Sequence, residues 1–513
     1  MDMTHTLRTL RNLCLVTCLV NSLHAATKPN IIYILADDMG YGDVQCLNPE
    51  RGMIPTPHMD RLAKEGMIFT DAHSSSSVCT PTRYSVLTGR YNWRTQLQSG
   101  VLWGFSKPLI SENRLTVPGL LKKAGYKTAM VGKWHLGMEL PTIDGKTPID
   151  GPKDTRSPQK TNVDWSGEIK NGPVDVGFDY LYGISASLDM APYIWIENDR
   201  FVGAVDNERP RKPAPGFVKN QVLPEIGRKT VEYIGKQDSS KPFFIYVPLT
   251  SPHTPIIPNE EWRGKSGLGI YGDFMMETDH IVGQIMAAVD ASEFAENTMI
   301  IVTADNGCSP AAKIEALEKQ GHFPSAQFRG NKADIYEGGH RVPFIVRWPK
   351  GVKAGSQSDD LICLTDLMAT SAELSGVSMP EDAGEDSVSF APALKGEAIK
   401  STRKGVVHHS ISGHFSYRQG NWKLLLSKGS GGWSKPREAS MAGDAEAPEG
   451  QLFDLEADPG EQKNLYQQKP EVVEKLIAQL KEDIANGRST TGPKLENDIP
   501  VGQIKLWKGN VVK

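Results

Sequence analysis

Six cysteines in 513 residues are too few for a disulfide scaffold. Removing the first 26 residues leaves Cys46, Cys79, Cys308 and Cys363, scattered and without a pairing pattern. The chain also lacks an internal repeat and any apolar run long enough to span a bilayer stably. Its formal net charge is only −4. A chain so balanced has no general attraction for nucleic acid or an anionic membrane, so any anion must be met by a local concentration of positive groups.

What the chain does have is 39% hydrophobic and 23% charged residues, enough for a large core and more than one domain. At the N-terminus, Arg8 and Arg11 precede the apolar "LCLVTCLVNSL" and the small residues Ala25 and Ala26. That layout predicts a secretory signal peptide over 1–26 and a periplasmic or secreted protein. "LVTC" at Leu15–Cys18 offers a lipoprotein anchor as the weaker alternative, since Thr17 fits poorly there.

Beyond it, short β-branched and aromatic runs alternate with amphipathic helical stretches, the pattern of an α/β sheet covered on both faces. The runs lie at 30–35, 127–131, 242–249, 298–304 and 342–348, each short enough for a buried strand. "PHMDRLAKEG" and "VPGLLKKAG" read as helices closed by glycine, and 273–290 places Met275, Val282, Ile285 and Val289 on one helical stripe. Residues 141–175 and 204–224, rich in Pro, Gly, Lys and Asp, read as surface insertions that shape a substrate mouth. A Gly, Pro and acid-rich stretch near 400 separates 27–400 from a smaller α+β unit over 401–513. That unit has a hairpin in "HFSYRQGNWKLLL", a strand at "QLFDL", a helix over 470–486 and a mobile loop at "SKGSGGWSKPREASMAGDAEAPEG".

Four of the strand-like runs end in polar clusters: Asp37 and Asp38, Lys133 and His135, His253, and Asp305 and Asn306. The carboxyl ends of strands in an open α/β sheet are where ligands bind. Asp37, Asp38, Asp305 and Asn306 supply hard oxygen ligands, suited to Ca²⁺ or, less well, Mg²⁺ rather than zinc. Taken singly, each is equally a turn or capping residue. In "SSSSVCTPTRYSVLTGR", Thr80 and Pro81 read as a helix start with Thr80 as the cap. That puts Cys79 at a positive helix N-terminus with Arg83 one turn on, a place to bind an oxyanion.

Cys-x-Pro-x-Arg followed by "YSVLTGR", together with "ADDMGYGD", "GKWHLG", "SPHTP", "ADNG" and "RGNKADIYEGGHRVP" in that order, resembles the type I sulfatases. The resemblance spans about Asn30 to Asn464. It implies an alkaline phosphatase-like fold, a large mixed β-sheet between helices with a smaller C-terminal domain. It further implies that Cys79 is oxidised to formylglycine by a maturation enzyme, and that Asp37, Asp38, Asp305 and Asn306 hold Ca²⁺. By the same resemblance Arg83 steadies the aldehyde hydrate, and Lys133 and Lys332 bind sulfate oxygens. His135 takes a proton during sulfate release, His253 donates one to the departing alcohol, and Ser187 contacts sulfate. Cys308 and His340 fall on no role of the motif and read as structural; His408, His409 and His414 read as surface histidines.

The expected substrate is a sulfated saccharide of galactose or hexosamine type, with "APYIWIENDR" supplying rings for sugar faces. Two alternatives remain at this level: a phosphate or phosphonate ester hydrolase of the same superfamily, or, with Cys79 unmodified, a protein that binds sulfated glycan without turnover. No nucleic-acid partner and no stable membrane insertion are expected.

Overall fold

The computed structural model describes residues 28–501 apart from 150–154, 157, 442 and 445. The expected leader and its lipoprotein alternative lie outside the described residues. All five apolar runs are strands, at Asn30–Asp37, Lys127–Lys133, Phe243–Pro252, Thr298–Ala304 and Phe344–Arg347. Each is almost wholly buried, which is why it reads as a continuous apolar run rather than an alternating one.

They form the middle of a ten-stranded mixed sheet. Asn30–Asp37 lies between Phe243–Pro252 and Thr298–Ala304 and runs parallel to both. Lys127–Lys133 continues the parallel set beyond Phe243–Pro252, while Phe344–Arg347 is antiparallel to Thr298–Ala304. Four parallel strands therefore deliver their carboxyl ends to one edge, and the polar clusters meet there.

Two groups of helices cover the sheet. Pro57–Lys64, Val222–Gly235 and Gly269–Asp290 pack together, as do Cys79–Thr88, Val117–Lys123 and Leu367–Ser375. In Gly269–Asp290 the expected stripe of Met275, Val282, Ile285 and Val289 is fully buried. A four-stranded antiparallel sheet follows, with the hairpin Phe415–Gln419 and Trp422–Leu425 at its centre and Val406–His409 and Gln451–Asp454 outside it. The helix Pro470–Ala485 buries Val473, Leu476 and Leu480 in the core it shares with that sheet.

Three expectations are corrected. The 141–175 segment is a surface excursion only in part: residues 141–148 are exposed or half-buried, but Val163 and Ile169 are buried and bridges such as Thr142 to Val163 tie it down. The second segment, 204–224, buries Val205, Ala214 and Phe217 and runs into the helix Val222–Gly235. The glycine-rich loop near 430 is anchored, because buried Asp334 accepts hydrogen bonds from the amides of Trp433 (2.8 Å) and Ser434 (2.9 Å).

Candidate active site

Asp37 closes its strand, and Asp38 turns out of it at φ 69°. His135 (φ 59°) and Ala333 (φ 79°), which flank the other strand end and Lys332, share this left-handed conformation. It costs a non-glycine residue about 1–2 kcal/mol, so the surrounding contacts hold all three in place. Gly132 precedes Lys133 at φ 138°, where a Cβ would lie 2.0 Å from the carbonyl oxygen of Pro248. Only glycine lets the two strands close up there.

The acids and cations interlock. Lys133 Nζ donates to Asp37 Oδ2 at 2.6 Å, and Lys332 Nζ donates to Asp38 Oδ1. Arg83 donates twice to Asp305 Oδ2, from Nη2 at 2.6 Å and Nε at 3.1 Å, and to the Lys133 carbonyl at 3.2 Å. Asn306 Nδ2 donates to Asp38 Oδ1 at 2.8 Å. Asp37 Oδ1, Asp38 Oδ2 and Asn306 Oδ1 are nevertheless buried without a hydrogen-bond partner. Buried acceptors are rarely left so. Three carboxylates and three cations balance to zero, so a divalent cation on those oxygens leaves the site positive, ready for an anion.

Burial alone would raise Asp37, but Lys133, His253 and Arg83 reverse this and hold it well below the usual carboxylate range. Burial and the neighbouring Asp37 push Asp305 up to about 7. The raised Asp305 marks acids crowded into a dry space that a further cation would relieve.

Cys79 opens the helix Cys79–Thr88, with Val78 as an extended N-cap that offers no side-chain bond. The expected cap, Thr80, does other work: its hydroxyl accepts from the Leu102 amide at 3.2 Å. Leu102 in turn offers its carbonyl to His135 Nε2 at 2.7 Å. A carbonyl accepts only, so Nε2 carries the proton and Nδ1, buried and unpartnered, keeps its lone pair. Burial, with Lys133 and Arg83 nearby, lowers the His135 pKa strongly and keeps the ring neutral. His253 is set the other way. Its Nδ1 donates to the Thr254 carbonyl at 2.7 Å, leaving Nε2 3.7 Å from Asp38 Oδ2. Burial lowers it to about 4.

The description "Sulfatase" fits a family model over residues 29–377, and a second model, "N-sulphoglucosamine sulphohydrolase, C-terminal", fits 330–428. The chain belongs to the sulfatase family. The N-acetylgalactosamine-6-O-sulfatase of Bacteroides thetaiotaomicron is 34% identical over 495 residues, 88% of this chain and 92% of its own length. Human arylsulfatase A is 30% identical over 474 residues, covering 88% and 86%. A solved structure from work on glycosaminoglycan metabolism by Bacteroides thetaiotaomicron superposes with TM-score 0.75 at 32% identity, over 89% of this chain and 99% of that one. A sulfatase from Pseudoalteromonas sp., 24% identical, shares the fold at TM-score 0.67 over 94% and 95%. This sulfatase is therefore a hydrolase of sulfuric esters with an alkaline phosphatase-like fold.

Ser187 is buried with its hydroxyl unpartnered, two residues beyond Ser185, whose carbonyl accepts from the His135 amide. Cys308 is buried and donates to the Tyr271 hydroxyl at 3.2 Å, as a structural residue would. Cys46 is only partly buried, and Cys363 is buried.

His408 and His409 are not surface residues; both are fully buried, while His414 is half-buried. Their strand, Val406–His409, lies against the serine run, with Ser76 bridged to His409. His73, His340 and His408 bring nitrogen atoms within 4.8 Å of one another. Hydrogen bonds account for most of them: Lys423 Nζ reaches His340 Nε2 at 2.9 Å, His340 and His73 share a proton between their Nδ1 atoms at 3.1 Å, and His73 Nε2 meets Asp71 Oδ1 at 2.7 Å. Through these bonds the cluster ties the C-terminal sheet to the larger unit.

Leu102 carried no signal in the sequence and Thr80 read only as a cap, yet the two link the helix of Cys79 to His135. Their contacts run through the Leu102 backbone, which leaves no mark in residue type.

Proposed function

We propose that this sulfatase removes sulfate from a sulfated carbohydrate, acting through Cys79 oxidised to formylglycine beside Ca²⁺ held by Asp37, Asp38, Asp305 and Asn306. The observation that carries the reading is the set of three buried oxygens on Asp37, Asp38 and Asn306 that receive no hydrogen bond, in a cluster whose charges otherwise balance. An all-oxygen donor set fits Ca²⁺, with Mg²⁺ the less favoured ion. When present, the aldehyde hydrate and the cation supply an acidified hydroxyl nucleophile next to a polarised sulfate.

The chain's own groups complete the chemistry. Lys133 and Lys332, already turned toward the acids, neutralise the sulfate oxygens, and Ser187 offers a hydroxyl. Arg83 stays locked on Asp305 and steadies the residue at position 79. His135 receives a proton at Nδ1. His253 delivers one from Nε2 to the departing alcohol oxygen, and must first acquire it because its neutral form is protonated on Nδ1.

Relatives named for N-acetylgalactosamine 6-sulfate support a 6-sulfated hexosamine or galactose-type substrate. A maturation enzyme that oxidises Cys79 and export to the periplasm or medium belong to the same reading. Among the described residues no helix is long and apolar enough to cross a membrane. Protein purified from its own host, assayed on a panel of defined sulfated saccharides, is expected to release sulfate from 6-sulfated N-acetylgalactosamine. Inactivity on every sulfate ester with turnover of a phosphodiester would overturn the proposal.

A further inference from the structure

We propose that this sulfatase carries a second anion-binding subsite beside Lys332, which takes an acidic sugar adjoining the sulfated one in a longer glycan. The proposal rests on the carbohydrate reading above. Of the eleven site residues placed there, His253 (6% exposed) and Lys332 (5%) reach furthest toward solvent, so the substrate enters on their side. A cavity of ≈ 800 Å³ is lined by the residues that directly precede Lys332 in the chain, Arg329 to Asn331. Its wall begins at Pro310, four residues after Asn306, runs to Asn331, immediately before Lys332, and is completed by residues 433–437 of the C-terminal unit.

The cavity is basic in a chain that is acidic overall. Lys313, Lys319, Arg329, Lys435 and Arg437 line it against two acids, Glu315 and Glu318, a surplus of three positive charges. Lys313, Lys319 and Lys435 form no ion pair among the described residues. Arg329 and Arg437 are held in place, the first over the Tyr336 ring and bonded to the Glu461 carbonyl at 2.8 Å, the second bonded to the Trp433 carbonyl at 3.1 Å.

Trp433, 40% exposed, adds a flat apolar face among these charges. An indole left out in water is costly unless something covers it, and a sugar ring is a good cover. The loop that carries it is rigid. Asp334, wholly buried, accepts from the amides of Trp433, Ser434 and Asn331, and Asn331 Nδ2 donates to Ser434 Oγ at 2.9 Å. A Cβ at Gly432 would lie 2.2 Å from the Ala333 carbonyl. One buried carboxylate thus fixes the tryptophan relative to Lys332, as a site that reads two neighbouring sugars requires.

The test is calorimetric titration of Cys79→Ser protein, in calcium-containing buffer, with two probes. One is 6-sulfated N-acetylgalactosamine; the other is a tetrasaccharide in which that sugar alternates with a uronic acid. The tetrasaccharide is expected to bind about tenfold more tightly, by an advantage that shrinks as salt is added. Lys313→Ala with Lys435→Ala, and separately Trp433→Ala, are expected to remove that advantage and change monosaccharide affinity by less than about twofold. A carboxyl-reduced tetrasaccharide distinguishes the uronate from the second sulfate as the bound anion. A tetrasaccharide that binds no more tightly than the monosaccharide, or not at all, would overturn the subsite, as would variants that weaken both probes equally. Sulfate release from the monosaccharide by mature protein reports separately on the reaction. If that failed while the tetrasaccharide preference survived, the activity reading would fall and the subsite would stand.

Discussion

At the scale of the residue, the two histidines differ in which nitrogen the backbone occupies. The Leu102 carbonyl fixes the His135 proton on Nε2, so His135 is ready to accept; the Thr254 carbonyl fixes that of His253 on Nδ1, so His253 must be charged before it can donate. Replacing His253 by Ala is expected to lower kcat about 10²–10⁴-fold on a sugar sulfate, and far less on an aryl sulfate whose phenol leaves without help. Comparing the two substrates checks this. His135→Ala is expected to permit a first turnover but slow all later ones, seen as a burst in stopped-flow product release. That Asp37, Asp38, Lys133, His135, His253, Asp305 and Asn306 cluster was legible because each stands at or near the end of an apolar run; Arg83 and Lys332 stood out only through the motifs of the resemblance. The Leu102 link was not, for a main-chain carbonyl is common to every residue.

At the scale of the element, long buried strands announced themselves, while Trp195–Glu197 and Arg200–Val202, three residues each, are too short to show a period. The burial of His408 was likewise hidden, since it depends on a serine run more than 300 residues earlier. Pro470–Ala485 read correctly as amphipathic, yet it carries Asp483 on its buried side, 4% exposed and bonded to the Tyr417 hydroxyl at 3.2 Å. Burial pushes Asp483 from 3.8 up to about 7. Between those values the folded chain keeps a proton that the unfolded chain has lost, so stability falls as pH rises through this window. Asp483→Asn is therefore expected to raise Tm at pH 8, by the equivalent of about 2–4 kcal/mol, and to have little effect near pH 4. Thermal melts at the two pH values check it.

At the scale of the whole molecule, the two units are joined by buried charge. Lys423, on the C-terminal sheet, is fully buried and meets Glu461 at 2.8 Å, His340 at 2.9 Å and Glu337 at 3.0 Å. Lys423→Met leaves buried Glu461 without its cation, while Glu337 keeps Arg341 at 3.0 Å, and is expected to destabilise the protein by about 3–5 kcal/mol in denaturant unfolding. Chelation of calcium is expected to lower Tm and abolish turnover together, with both restored by added Ca²⁺, because an ion bound only by the folded state stabilises it. The alternation of strands and helices made the α/β architecture readable. The clamp between units was not, since it pairs residues with no local pattern in common.

The proposed cleavage of a sulfate ester requires an oxidised Cys79. The mass of the peptide containing residue 79, taken from preparations of differing specific activity, tests it most directly. The aldehyde form is expected in proportion to activity and absent from inactive material; full sulfatase activity in a preparation that holds only the unmodified thiol would rule out this route.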